Sequence, residues 1–114
     1  MSTRVSRHGV GAAAYLEKML GPLTLATLLR ATREGEAMSQ QDFARKLGLS
    51  KSHLCDIEAG RKAVSPERAA SFARTLGYPV IQYVQLALQD LLNRGRLAFD
   101  VELRPHKPTR GRAA

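Results

Sequence analysis

The stretch that most limits the fold is residues 39–62, SQQDFARKLGLSKSHLCDIEAGRK. Ser39 and Ser50 are helix-capping residues, whose hydroxyls accept from a free N–H of the first turn. Gly48 and Gly60 readily take the left-handed conformation that ends a helix. Residues 40–47 and 51–59 lie between these signals, and helices that short are not stable alone in water. Each needs a body to lean on. Phe43, Ala44 and Leu47 share the inward side of the first, Leu54 and Ile57 that of the second, and Leu49 fills the gap. Two brief helices joined by a tight glycine turn meet at a steep angle, so the second projects. A helix about 10–12 Å across fits a DNA major groove about 12 Å wide.

The flanking sequence supplies the body. Pro22 suits the first position of a helix over 23–34, with Leu25, Leu28, Leu29 and Thr32 on one face. Residues 35–38 form a turn, and Asp42 completes a weak capping box with Ser39. Ser65-Pro66-Glu67 starts a further helix that runs to Leu76, with Ala69, Phe72, Ala73 and Leu76 inward. Gly77 stops it and Pro79 begins a fifth, over 79–93, ended by Gly95. Val80, Val84, Ala87, Leu88 and Leu91 make its stripe, widened by Ile81 and Leu92. The period then changes. In LAFDVEL, residues 97–103, Leu97, Phe99, Val101 and Leu103 alternate with Ala98, Asp100 and Glu102, as in a strand with one buried face. The chain offers no second strand to pair with it.

The expected organisation is a basic segment at 1–21 that is partly disordered or a short helix, a helical domain at 22–78, a helix and strand at 79–104, and a basic flexible tail at 105–114. The 114 residues suit one domain. The net charge of +8 and the pI near 10.4 favour a polyanionic partner. Nine basic residues face seven acidic ones between 23 and 93, three face one before that stretch, and six face two after it. The excess therefore sits mostly in the two ends, and a DNA-reading face must rest on local placement. Cys55 is the single cysteine, so no disulfide forms within the chain. The apolar run at 9–16 is too weak and Ala-rich for a signal peptide, and no stretch reaches the roughly 20 apolar residues of a membrane span. The expected location is the cytoplasm.

LLRATREGEAMSQQDFARKLGLSKSHLCDIEAGRKAVSPERAASFARTLG, residues 28–77, resembles the Cro/phage-repressor-like (XRE-type) helix-turn-helix family. The framework SQ..FA..LG.S...L..IE.G has its spacing intact, with helices on both sides. The resemblance implies a mainly α fold, a five-helix bundle; the C-terminal strand is an addition to it, expected to pair across a homodimer. It also implies a sequence-specific transcriptional regulator, often dimeric. Gln40 would bond a phosphate and brace the recognition helix, with Gln41 beside it. Lys51, Ser52 and Asp56 fall at the main base-reading positions. Ser50, Arg61 and Lys62 fall where members touch phosphates. Arg33 and Glu58 match an ion pair that ties helix one to helix three. Asp56 departs from the family, where amides or basic residues are usual. It either accepts from a cytosine amine, selects against wrong sites or holds Lys51.

Plainer readings stand beside these. Lys51, Arg61 and Lys62 are also ordinary solvated charges. His53 flanks the reading face as a contact or a bystander. Stepping about 100° per residue from Leu54 and Ile57 puts Cys55 on the outer face of its helix. There it is a tolerated small side chain, or an oxidant sensor. No carboxylate pair, phosphate loop or metal spacing appears, so neither catalysis, a metal nor a cofactor is expected.

The orphan strand motivates a dimer. Val84, Leu88 and Leu91 of helix five, with Leu97, Phe99, Val101 and Leu103, would pair across a twofold axis. Two recognition helices would then sit about 34 Å apart, or a multiple of that, for a near-palindromic operator on double-stranded DNA. Two rivals remain. An antitoxin would use helix five, the strand or the tail to hold a toxin while repressing its own operon. An adaptor would bind no DNA.

Overall fold

A computed structural model of the chain describes residues 23–106. The expectations for residues 1–22, including the helix at 12–20, and for the tail beyond residue 106 lie outside the described residues. The chain divides into two compact units, one ending at Lys62 and the other beginning at Ala63.

The first unit contains α1 (Leu25–Gly35), α2 (Gln40–Leu47) and α3 (Lys51–Glu58). Helix α1 starts later than Pro22 suggests, because Thr24 is its cap. Thr24 Oγ1 accepts from the Thr27 N–H at 3.1 Å, and Thr27 Oγ1 accepts from the Thr24 N–H at 2.9 Å. This is a reciprocal capping box in which threonine replaces the usual Glu or Gln. Ser39 Oγ accepts from the Asp42 N–H at 3.0 Å to start α2. Gly48, at φ 76°, ends it, and the Leu49 N–H then reaches back to the Ala44 carbonyl at 2.8 Å. Ser50 Oγ caps α3 through the His53 N–H at 3.0 Å. Helix α3 packs on both α1 and α2. Leu25, Leu29, Phe43, Ala44, Leu54 and Ile57 are buried, as their spacing predicts, while Leu28, Thr32 and Leu47 are half-buried. Each large side chain buried this way stabilises by about 1.5–3 kcal/mol.

The second unit contains α4 (Pro66–Leu76) and α5 (Val80–Arg94), which pack against each other. Val64, Ala69, Phe72, Ala73, Tyr83 and Ala87 are buried. The inward line of α5 therefore runs through Tyr83 and Ala87, and the predicted stripe is rotated. Val84 and Leu88 are half-buried, and Ile81 and Leu91 are exposed. A tyrosine brings a large ring with a polar tip, and apolar periodicity alone passes over it. The Tyr83 ring stacks on Tyr78 with centroids 6.0 Å apart and planes 12° from parallel.

Residues 97–103 form no strand, and no strand occurs among the described residues. After Arg96, at φ 58°, the chain runs back along α5. The Leu97 N–H donates to the Leu92 carbonyl at 2.9 Å. Beyond it the backbone is held by glutamine side chains of α5. Gln89 Nε2 donates to the Phe99 carbonyl at 2.8 Å and Gln89 Oε1 accepts from the Val101 N–H at 2.8 Å. Gln85 Oε1 accepts from the Leu103 N–H at 3.4 Å. A ladder needs a second backbone, and a primary amide supplies the same donor and acceptor as a peptide group. No helix among the described residues is long and apolar enough to cross a membrane.

Candidate nucleic-acid interface

The site lies in the first unit. An ionic knot fixes α3 on α1 and α2. Arg33 Nε donates to Glu58 Oε2 at 2.8 Å, and Arg33 Nη2 donates to Glu58 Oε1 at 3.1 Å. The third Arg33 donor, Nη1, reaches the Met38 carbonyl at 3.1 Å and ties down the turn before α2. Gln40 Nε2 adds a bond to Glu58 Oε1 at 3.0 Å. The Glu58 side chain is only 4% exposed and that of Arg33 14%. The hydrogen bond to Glu58 holds the Arg33 guanidinium above its usual pKa, against the opposing pull of burial. A buried carboxylate with three donors is well satisfied.

Gln40 was expected to serve a phosphate as well as the recognition helix. One Nε2–H of its amide bonds Glu58, and Nε2 keeps a second donor. Gln40 Oε1 accepts from Cys55 Sγ at 3.1 Å. This also places Cys55. The residue is half-buried, its thiol donates to Gln40 of α2, and it lines the groove that α3 shares with α1 and α2.

The first turn of α3 carries the exposed side chains Lys51 and Ser52, and Gln41 is exposed at the start of α2. The first N–H groups of a helix lack internal partners and carry partial positive charge. Ser50 is exposed with its hydroxyl oxygen facing the His53 N–H, and His53 is half-buried.

Asp56 holds the loop after α3. Its main-chain carbonyl accepts from the N–H groups of Arg61 at 2.8 Å and Lys62 at 3.2 Å. Its carboxylate accepts from Arg61 Nε at 2.9 Å and lies 3.8 Å from Lys62 Nζ. The partners of Asp56 are thus the two loop cations, not Lys51. Those cations stay open to solvent, at 65% for Arg61 and 58% for Lys62.

Helices α1, α2 and α3 enclose a groove of about 570 Å³. Arg33, Gln40 and Glu58 line it with Arg30, Gln41 and Lys51. Sequence reasoning passed over Arg30, which is 60% exposed and bonded to Glu34 at 3.2 Å. Its spacing of three from Arg33 puts both on one side of α1 and was the available signal. The arrangement is a cationic, hydrogen-bonding surface around the short helix α3, suited to a phosphate backbone and base edges.

The family model described as a helix-turn-helix domain matches residues 24–82, which takes in all of α1 to α4 and the start of α5. No curated protein and no solved structure matches the chain.

Proposed function

The chain belongs to the helix-turn-helix domain family, and from that premise we propose that it is a sequence-specific, double-stranded-DNA-binding transcriptional regulator. It acts in the cytoplasm as a repressor, binds as a dimer to a near-palindromic operator, and catalyses no reaction. The observation that carries this reading is the Arg33–Glu58–Gln40 knot. It fixes α3 against α1 and α2 and leaves Lys51 and Ser52 exposed in the first turn of α3. Lys51 reaches guanine acceptors in the major groove, and Ser52 bonds a neighbouring edge. Arg61 and Lys62, together with Gln41, Ser50 and the first N–H groups of α2 and α3, take phosphates. His53 stands at the margin of that contact. Phosphate contacts supply affinity and register, and base contacts supply specificity.

Asp56 then acts on the loop rather than on a base. Holding Arg61 and Lys62 by both carbonyl and carboxylate sets where these cations meet the backbone of the duplex. The large exposed apolar side chains Tyr78, Ile81, Leu91, Leu97 and Phe99 all belong to the second unit and support a protein partner there. A second copy of the chain accounts for them most simply. A toxin held by the same surface is the other reading, and co-purification of a small protein from the native host distinguishes it.

Titration of a labelled random duplex at rising salt tests the proposal. Affinity is expected to fall linearly on a log–log scale, as for release of counterions from several phosphates. Absence of binding at low salt contradicts it.

A further inference from the structure

The segment after α5 has one tied edge and one open edge. On the tied edge, Gln89 stands in for a neighbouring strand by bonding the Phe99 carbonyl and the Val101 N–H, both at 2.8 Å. Gln85 continues the line to Leu103. The residues held are 99, 101 and 103, the alternation of an extended backbone. The same alternation turns the N–H and carbonyl groups of Asp100, Glu102 and Arg104 away from α5. None of these backbone groups has a partner among the described residues. Pro105, which lacks an N–H, falls on the tied side, so the open edge loses no donor to it. An open edge of this kind is a template for another strand. The same unit exposes apolar side chains, Leu97 at 48%, Phe99 at 66% and Leu91 of α5 at 42%.

We propose that this edge pairs antiparallel with the same edge of a second copy, in the register that sets Glu102 against Arg104 of that copy and Leu103 on the twofold axis. The inference rests on the dimeric reading above and specifies its contact. Charge picks the occupant and the register. The open edge reads acid, acid, base along Asp100, Glu102 and Arg104. One register opposes Asp100 to Glu102 twice. The next opposes Glu102 to itself between two Asp100–Arg104 pairs. The register centred on Leu103 makes two Glu102–Arg104 pairs and opposes no like charges. Opposite charges facing each other across strands stabilise the pairing, and like charges destabilise it. The pattern is self-complementary, which a foreign strand has no reason to match.

The test is sedimentation equilibrium of the full chain as wild type, Glu102→Arg, Arg104→Glu and the double swap. Both side chains are exposed, and helical melting by circular dichroism checks that each variant folds. Each single variant sets two like-charged pairs face to face and is expected to weaken dimerisation about tenfold. The double swap recreates both pairs and is expected to restore the wild-type constant. A monomeric wild type at tens of micromolar, single variants that dimerise normally, or a double swap as weak as the singles each overturns the register. Random-duplex titration of the same samples separates this inference from the DNA-binding reading. A monomer that binds duplex ends the interface and leaves DNA binding intact. A dimer rescued by the swap that binds no duplex does the reverse.

Discussion

Arg33 and Glu58 meet side by side, guanidinium to carboxylate, through two bonds of 2.8 and 3.1 Å. The contact joins the last turn of α1 to the last residue of α3, so the seating of α3 on α1 depends on it. Replacing Arg33 with Met leaves a carboxylate that is 4% exposed with Gln40 as its remaining side-chain donor. Breaking such a pair from one side costs about 3–5 kcal/mol, and the partial exposure of Arg33 places this case near the lower figure. Urea denaturation of Arg33→Met is expected to show that loss. Arg33→Met combined with Glu58→Leu is expected to recover most of it while still impairing DNA binding. A double variant that is stable and binds normally contradicts the bracing role.

The leading end of α3 and the loop behind it are expected to fail differently. Lys51→Ala is expected to lower operator affinity about tenfold while binding to random duplex changes little, because a base contact is lost. Arg61→Ala with Lys62→Ala is expected to weaken binding to every sequence and to reduce the salt slope by about 2. Anisotropy titrations on both duplexes at several salt concentrations check the pair. An unchanged double variant rules out the loop as a phosphate clamp.

Asp56→Ala separates a clasp from a base reader. Removing one acid beside the DNA and freeing two loop cations is expected to strengthen random-duplex binding, by no more than about fivefold because exposed ion pairs are weak. The ratio of operator to random affinity is expected to fall. Loss of preference at one cytosine, with random binding unchanged, points to base reading instead.

Gly48 tests the turn itself. It sits at φ 76°, and a Cβ placed there meets nothing within 4 Å. Gly48→Ala therefore brings only the left-handed backbone penalty, about 1–2 kcal/mol. A drop of several degrees in Tm, with DNA affinity retained below the transition, is the expected result.

The helix-turn-helix segment was legible because its signals are local. Ser39, Gly48, Ser50 and the Leu54–Ile57 pair each act within one or two turns. The site's inner wiring was not, because it depends on which way side chains lean. Gln40 reaches across to Glu58 and Cys55, residues 18 and 15 positions away. The step angle alone put Cys55 outward. The Asp56 clasp closes through the Gly60 turn, outside any helical spacing rule. Helix α5 misled because Leu and Val marked a stripe while Tyr83 took the buried place. The alternation at 97–103 announced two unlike faces, but it could not reveal that Gln85 and Gln89 would serve as the neighbouring strand.

Selection of bound duplexes from a random pool, with the number of chains per duplex measured, tests the central claim most directly. The account predicts an enriched near-palindrome bound by two chains, with half-sites about one helical turn or a multiple apart, and with enrichment weakened by Lys51→Ala at the base pairs that Lys51 reads. Binding that enriches no sequence, or enrichment identical in wild type and Lys51→Ala, contradicts it.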